Sequence, residues 1–201
     1  MAVTLNASTS SGLVQSADNS GTVEIQSNGT TKFTVASTGA YGQITSGTAV
    51  TSTSGTSIPF TGIPSWVKRI TVMLAGVSTN GTGIIQIQIG SGGYTISGYL
   101  SMGGYIQNGG ASGVTSFTTG FPITGAASAA SVYHGSMVLT LVGSNQWVAN
   151  GDFARSDSLV QNFGQGSITL SGTLDQLRLI GSATGNPADT FDAGTINILY
   201  E

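Results

Sequence analysis

The stretch that most constrains the fold runs from residue 58 to residue 89 and reads IPFTGIPSWVKRITVMLAGVSTNGTGIIQIQI. It holds the longest run of strand-forming residues in the chain, Val67–Val77, followed by the dipeptide Asn80-Gly81. Both residues of an Asn-Gly pair tolerate the positive φ angles of a type I′ turn. The pattern therefore predicts a β-hairpin whose two strands meet at this turn.

The predicted hairpin has two unlike faces. In its register Leu74 lies opposite Ile87, and residues directly opposite each other share a face. One face is fully apolar and carries Ile70, Val72, Leu74, Ile85, Ile87 and Ile89. The other is semi-polar and carries Arg69, Thr71, Met73, Ala75, Gln86 and Gln88. Because an apolar sheet face must be covered by a second layer, we predict a β-sandwich whose semi-polar outer face meets another subunit.

Charge is scarce in this chain, and its scarcity excludes several classes of protein. Charged residues make up 6% of the sequence, the formal net charge is −3, and 39% of the residues are hydrophobic. Disorder goes with low hydrophobicity and high net charge, so the chain is expected to fold. Thirty-one glycines and many Ser, Thr and Asn residues interrupt every helical spacing, which favours an all-β fold. Five scattered basic residues are too few for nucleic-acid binding: Lys32, Lys68, Arg69, Arg155 and Arg178.

The sequence also lacks the residues and segments that are typical of targeting, redox chemistry and cofactor binding. The chain has no cysteine, which excludes disulfides and thiolate metal sites. The amino end has neither a basic nor an apolar signal region, and no apolar run approaches membrane length. We therefore expect a protein made in a cytoplasm, without membrane insertion and without a cofactor.

The first 45 residues show a repeat of apolar residues about every ten positions, separated by glycines. The repeating residues are Val3, Leu5, Leu13, Val23, Ile25, Phe33 and Val35. A hairpin with a two-residue turn at Asn28-Gly29 would place Ile25 opposite Lys32 and mix apolar with charged side chains. Either the loop has an odd number of residues, or these strands do not pair within one chain. We interpret residues 1–45 as an intertwined trimeric β shaft with these side chains in its core; the alternative is a flexible N-terminal arm.

The remainder predicts a connector at residues 46–56 and an antiparallel β-sandwich or jelly-roll head at residues 57–201. We expect about eight strands, including MVLTLV as a central strand and the closing segment with Ile196, Ile198 and Tyr200 on one face. Further strands are predicted at Tyr94–Met102, Val114–Thr119, Ser131–Val142, Gln146–Ala154, Ser167–Ser171 and Leu174–Ile180. Both tryptophans, Trp66 and Trp147, are expected to pack in the core.

Three loops consist almost entirely of small residues, and loops of this kind carry recognition. They are Ser91–Gly93, Gly103–Gly113 and Gly125–Ala130. Large side chains in or beside them are the candidate receptor contacts: Tyr105, Ile106, Asn108 and Tyr94. Tyr105, which lies next to two glycines, is expected to be exposed.

No pattern of catalytic residues is present, so we do not expect an enzyme. His134 is the only histidine and is interpreted as a surface or strand residue. Asp152 and Asp157 lie five positions apart, but a structural role, either solvated or bonded to Arg155, is favoured over a glycosidase pair. Asp189 and Asp192 are weak candidates for a calcium site, since loop aspartates usually cap turns.

Several segments together resemble bacteriophage tail-fibre proteins. They are IPFTGIPSWVKRITVMLAGVSTNG, LSGTLDQLRLIG, TFDAGTINILYE and the glycine-spaced TLNASTSSGLVQSADNSGTVEIQSNGTTKFTV. The resemblance implies a homotrimeric virion protein, with a shaft that joins other virion proteins and a head exposed to a host surface glycan or protein. The chain begins directly at the shaft, without a recognisable baseplate- or tail-binding domain. A collar or capsid-decoration fibre of similar build therefore stays open, and a depolymerase is disfavoured because an acid/base pair is missing.

Overall fold

The structure, a computed structural model of one chain, describes residues 23–27, 29–36, 39–41, 44–181 and 189–201. The chain divides into two compact units, Met1–Gln43 and Ile44–Glu201, called here the N-terminal unit and the sandwich unit. All regular structure in the described residues is antiparallel strand, which confirms the all-β prediction. The described residues contain no membrane-spanning helix.

The N-terminal unit contains a three-stranded antiparallel sheet. Its strands are β1 (Val23–Ser27), β2 (Thr30–Ala36) and β3 (Gly39–Tyr41), in the order β1-β2-β3. β1 and β2 pair directly, with a register shift after Ile25. The idea that these two strands do not pair within one chain is therefore wrong.

A bulge resolves the register problem posed by the sequence. Ile25 pairs with Phe33 and Gln26 pairs with Thr31, so Lys32 is the extra residue on β2. The bulge puts Ile25 and Phe33 opposite each other, and Val23 opposite Val35. The other predicted shaft-core residues, Val3, Leu5 and Leu13, lie outside the described residues.

The sandwich unit has a larger sheet of nine strands and a smaller sheet of four. The strands of the larger sheet are β4 (Thr45–Ser46), β5 (Val50–Thr51), β7 (Arg69–Thr79), β9 (Leu100–Gln107), β10 (Ser112–Phe117), β12 (Tyr133–Gly143), β13 (Gln146–Arg155), β14 (Val160–Thr169) and β16 (Phe191–Tyr200). Their order is β10-β9-β14-β13-β12-β7-β16-β4, and β5 also pairs with β16. The strands of the smaller sheet are β6 (Ser57–Thr61), β8 (Gln86–Gly90), β11 (Phe121–Pro122) and β15 (Gln176–Ile180). Their order is β11-β8-β15-β6.

One hydrophobic core joins the two sheets. The larger sheet contributes buried side chains from β7, β12, β13, β14 and β16, and the smaller sheet contributes them from all four of its strands. Trp147 is 2% exposed in this core, as predicted. Ile196 and Ile198 are buried and Tyr200 packs against the core, also as predicted. The MVLTLV segment lies in β12 between β13 and β7, which confirms its central position. Jelly-roll connectivity stays a prediction.

The predicted hairpin at Asn80-Gly81 is wrong, because its two strands belong to different sheets. β7 pairs with β12 and β16, whereas β8 pairs with β11 and β15. Asn80 is held instead by Thr190, the residue before β16: its N–H donates to Thr190 O at 3.0 Å, and its Oδ1 accepts from Thr190 N–H at 2.9 Å. Neither turn residue has a positive φ; in the described non-glycine residues those angles occur at Ser144 and Asn145, in the β12–β13 hairpin.

The apolar face predicted for that hairpin is nevertheless buried in full. Ile70, Val72, Leu74, Ile85, Ile87 and Ile89 are all at most 4% exposed. They face each other across the core instead of lying side by side on one sheet. Two residues expected on the semi-polar outer face, Gln86 and Gln88, are also buried. Thr119 covers them: its hydroxyl donates to Gln86 Oε1, and its carbonyl accepts from Gln88 Nε2.

Three further expectations need correction. Trp66 is 47% exposed and contacts Tyr200 with ring centroids 5.8 Å apart, so it is not a core residue. The predicted strand at 94–102 begins only at Leu100, and the predicted loop at 103–113 belongs largely to β9 and β10. The short strand predicted at 167–171 is the end of the much longer β14. In the segments 103–107 and 160–166, glycine-containing residues pair with neighbouring strands that local sequence does not reveal.

The segment predicted as a connector, residues 46–56, contributes to the larger sheet. Val50 pairs with Ile196 and packs against the core. Ser52 is fully buried, and its hydroxyl donates to Ala193 O at 2.8 Å. This segment is therefore an edge of the sandwich.

Candidate functional site

Tyr105 lines a cavity of about 150 Å³ at one end of the larger sheet. The polar lining comes from Tyr105, Gln107, Ser128, Arg155 and Asn162, and the apolar lining from Ala126, Ala127 and Val160. Strands β9, β13 and β14 supply one wall, and the predicted loop Gly125–Ala130 supplies the other.

Strand pairing explains why these side chains meet. Tyr105 pairs with Asn162, and Gln107 pairs with Val160, across β9 and β14. Side chains alternate along a strand, so Tyr105 and Gln107 share the inner face while Ile106 points to the outer face. The next strand, β13, ends at Arg155 and brings its guanidinium to the same end of the sheet.

Arg155 is neutralised by Asp157. Its Nε donates to Asp157 Oδ1 at 3.0 Å, and its Nη2 donates to Asp157 Oδ2. The Val132 N–H also donates to Asp157 Oδ1, at 2.9 Å. The hydrogen bond from Arg155 is the main reason that the pKa of Asp157 lies below its ordinary value. Of the two roles expected for this aspartate, solvated or bonded to Arg155, the structure shows the bond, and the cavity wall carries no net charge at this pair.

Asn162 forms a fixed part of the cavity. It is fully buried, and its Oδ1 accepts from the Thr124 hydroxyl at 2.8 Å. Its Nδ2 donates to Phe153 O at 3.4 Å. Thr124 is itself fully buried, and its hydroxyl oxygen accepts from the Ala126 N–H at 3.2 Å. These bonds tie the loop that closes the cavity to the inner face of the larger sheet.

The four predicted receptor-contact residues do not form one site. Tyr105 was expected to be exposed but is half-buried in the cavity wall, while Ile106 is 58% exposed on the opposite face of the sheet. Asn108 is exposed in the β9–β10 turn, where its N–H donates to Leu159 O. Tyr94 lies elsewhere: the Arg178 guanidinium covers its ring at 4.3 Å from the centroid. Burial is the main cause of the raised pKa of Tyr94.

Sequence reasoning missed Gln107, Ser128, Arg155 and Asn162 as cavity residues. The even spacing of Tyr105 and Gln107 could have placed them on one strand face. The pairing of β9 with β14 joins residues more than fifty positions apart, and nothing in the local pattern specifies that partner.

The remaining candidates have structural partners. His134 is exposed in β12; its Nδ1 accepts from the Gly76 N–H at 3.2 Å, and its Nε2 lies 3.1 Å from the Ser156 hydroxyl. Asp192 accepts from the Ser78 hydroxyl, and buried Asp189 accepts from the Gly83 N–H. In the described part of the chain, no three or more His, Cys, Asp or Glu residues are grouped to hold a metal ion.

Substituting Asp157 with asparagine is expected to lower stability at neutral pH and to have no effect in strong acid. The folded-state pKa of Asp157 lies below its ordinary value of 3.8. The ion pair therefore stabilises the fold above that value, and this stabilisation is lost as the pH falls through the folded-state pKa. Urea unfolding of the wild type and D157N at about pH 7 and about pH 2 measures the difference. If the free energies of unfolding of the wild type and D157N differed by the same amount at both pH values, this role would be contradicted.

Comparison with known proteins assigns the chain to no family. No family model, curated protein or solved structure matches it. The resemblance to tail fibres therefore rests on the quoted sequence segments alone.

Proposed function

We propose that the protein is a structural fibre of a bacteriophage virion that attaches the particle to the host surface. The N-terminal unit supplies the trimeric shaft and the bond to other virion proteins, and the sandwich unit is the head. The observation that carries the attachment role is the cavity at Tyr105, which combines an aromatic ring with amide and guanidinium donors. The other supports are the sequence resemblance and the charge-poor all-β fold.

The trimeric shaft is supported by apolar side chains left uncovered in one chain. Ile25 is 51% exposed and Phe33 is 36% exposed, although they pair directly across β1 and β2. A small sheet with an uncovered apolar pair gains little stability by itself in water. Sister copies around a shared axis would bury these side chains, which is the arrangement that the ten-residue repeat predicts.

The cavity favours a neutral glycan over an acidic one. Asp157 already neutralises Arg155 through two hydrogen bonds, so no lining residue offers an unpaired positive charge to a carboxylate. Donors that remain on Arg155 and Gln107 suit hydroxyl oxygens. The volume of about 150 Å³ equals about five water molecules, which is enough for one sugar ring to enter partly. The Tyr105 ring supplies the apolar surface on which such a ring would pack.

Competition for adsorption tests this function. The purified wild-type protein is expected to reduce binding of the phage to its host. Tyr105→Ala is expected to weaken that competition by about tenfold or more, because it removes the ring on which the sugar would pack. A tenfold loss corresponds to about 1.4 kcal/mol of binding free energy. Trp66→Ala is the matched control, since it removes an exposed aromatic ring outside the cavity.

Two outcomes would contradict the attachment role. If Tyr105→Ala and Trp66→Ala compete as well as the wild type, the cavity is not the receptor site. If the wild type does not compete but binds phage capsids or necks, the protein is a collar or capsid-decoration fibre instead.

A further inference from the structure

The edges of the two sheets are unequally protected against pairing with another strand. In the smaller sheet, the edge strand β6 contains Pro59, and the other edge strand, β11, is two residues long and ends at Pro122. In the larger sheet, β4 and β5 are two residues each and are separated by residues 47–49. Proline, short length and interruption are the usual means by which proteins block edge pairing.

The last edge strand, β10, has none of these features. It is six residues long, SGVTSF, and contains neither proline nor charge. Among the described residues it pairs with β9 and with no other strand. Its residues are half-buried or exposed along the whole strand. One row of its backbone donors and acceptors is therefore open to a further strand.

An exposed apolar patch lies beside this open edge. Val114 pairs with Gly104, and alternation places Val114 on the same outer face as Leu100, Met102 and Ile106. These four side chains, called here the β9–β10 patch, are 64%, 77%, 39% and 58% exposed, respectively. Apolar patches of this kind on a folded protein mark interaction surfaces.

The lack of charged residues around β10 indicates which kind of partner covers the β9–β10 patch. Residues 100–117, which form β9, β10 and their turn, include no Asp, Glu, Lys, Arg or His. A partner recognised through charge has nothing to bind there, whereas two identical copies meet without like-charge repulsion. A second copy also presents the same open edge and the same apolar patch.

We propose that β10 pairs antiparallel with β10 of a second copy, so that the two larger sheets become one continuous sheet. Side chains alternate along a strand. The outer faces of the two copies therefore lie on the same side of the joined sheet only if even-numbered residues pair with even-numbered residues. A two-fold axis at Val114 meets this condition, places the two valines opposite each other and sets Ser112 opposite Ser116 of the other copy. The pair closes on itself and is independent of the shaft proposed above.

The absence of cysteine from the chain allows a direct test by cross-linking. Directly opposed residues of antiparallel strands have Cα atoms about 4.5–5.5 Å apart, within the disulfide range of about 4.4–6.8 Å. Val114→Cys in the full-length protein is therefore expected to form a reducible two-chain species under mild oxidation. Val142→Cys is the matched control, because Val142 is equally exposed, at 62%, but lies on the central strand β12.

Light scattering supplies a second, independent readout. The mass of the wild-type assembly is expected to double as concentration rises, and Val142→Lys should keep this behaviour. Val114→Lys should abolish it, because it places two lysines opposite each other at the axis. A mass that never doubles, or that doubles equally in Val114→Lys, would overturn the proposal. Doubling without a Val114→Cys cross-link would show that the second copy docks in another way and would also overturn it.

Discussion

Replacing Trp147 with alanine is expected to destabilise the sandwich unit by about 3–5 kcal/mol, the usual cost of truncating a buried tryptophan. Trp147 is 2% exposed, and β13 places it between Leu141 on β12 and Ile168 on β14. The loss combines the removed apolar contact with the cavity left between the two sheets. Urea unfolding monitored by circular dichroism measures this loss of stability, and it does not depend on the fluorescence of the deleted tryptophan.

The other tryptophan provides the control for this prediction. Trp66 is 47% exposed and contacts Tyr200 at the surface. Trp66→Ala should therefore cost less than about 1 kcal/mol, as expected for an exposed site. Equal losses for the two variants would mean that the core does not lie where the structure places it.

The second large effect is expected at Gly164, where β14 of the larger sheet passes close to β11 of the smaller sheet. A Cβ atom at Gly164 would lie 1.6 Å from Pro122 O, a backbone atom that no side-chain rotation can move. Gly164→Ala is expected to yield insoluble protein or to lower the free energy of unfolding by about 3 kcal/mol or more, at the upper end of overpacking costs.

Gly93 is the matched site for the same substitution. A Cβ atom there meets nothing within 4 Å, and the backbone has no positive φ. Gly93→Ala should change stability by no more than about 0.5 kcal/mol. If Gly164→Ala were equally harmless, the two sheets could not approach as closely as described.

The alternation of apolar and polar residues predicted burial more accurately than it predicted strand pairing. Ile70, Val72 and Leu74 were expected to share a covered face, and all three are in the core. Their predicted partners, such as Ile87, lie in the opposite sheet. Burial follows from side-chain spacing along one strand, whereas pairing depends on residues far away in sequence. A turn dipeptide fixes a hairpin only when the flanking strands have no better neighbours, and β7 has β12 and β16.

The N-terminal unit shows a different limit of the same reasoning. A two-residue turn placed Ile25 opposite Lys32, which argued against pairing within the chain. One extra residue at Lys32 restores the match of Ile25 with Phe33. Bulges of this kind add a residue without a strong sequence signal. Counting residues outward from the turn is therefore a weak guide to the register of a short hairpin.

The candidate site was predictable in part. Tyr105 was selected because it is a large side chain among glycines, and it does line a cavity. Its glycine neighbours form strand instead of loop, because Gly103 and Gly104 pair with β10 and β14. Arg155 and Asn162 join the site through long-range pairing, which a single sequence does not specify.

The attachment role is tested most directly by locating the sandwich unit on the virion with a labelled antibody raised against residues 44–201. The account predicts label at the tail fibres, and it predicts that the bound antibody blocks adsorption to the host. Label confined to the capsid or neck, with adsorption unchanged, would contradict it.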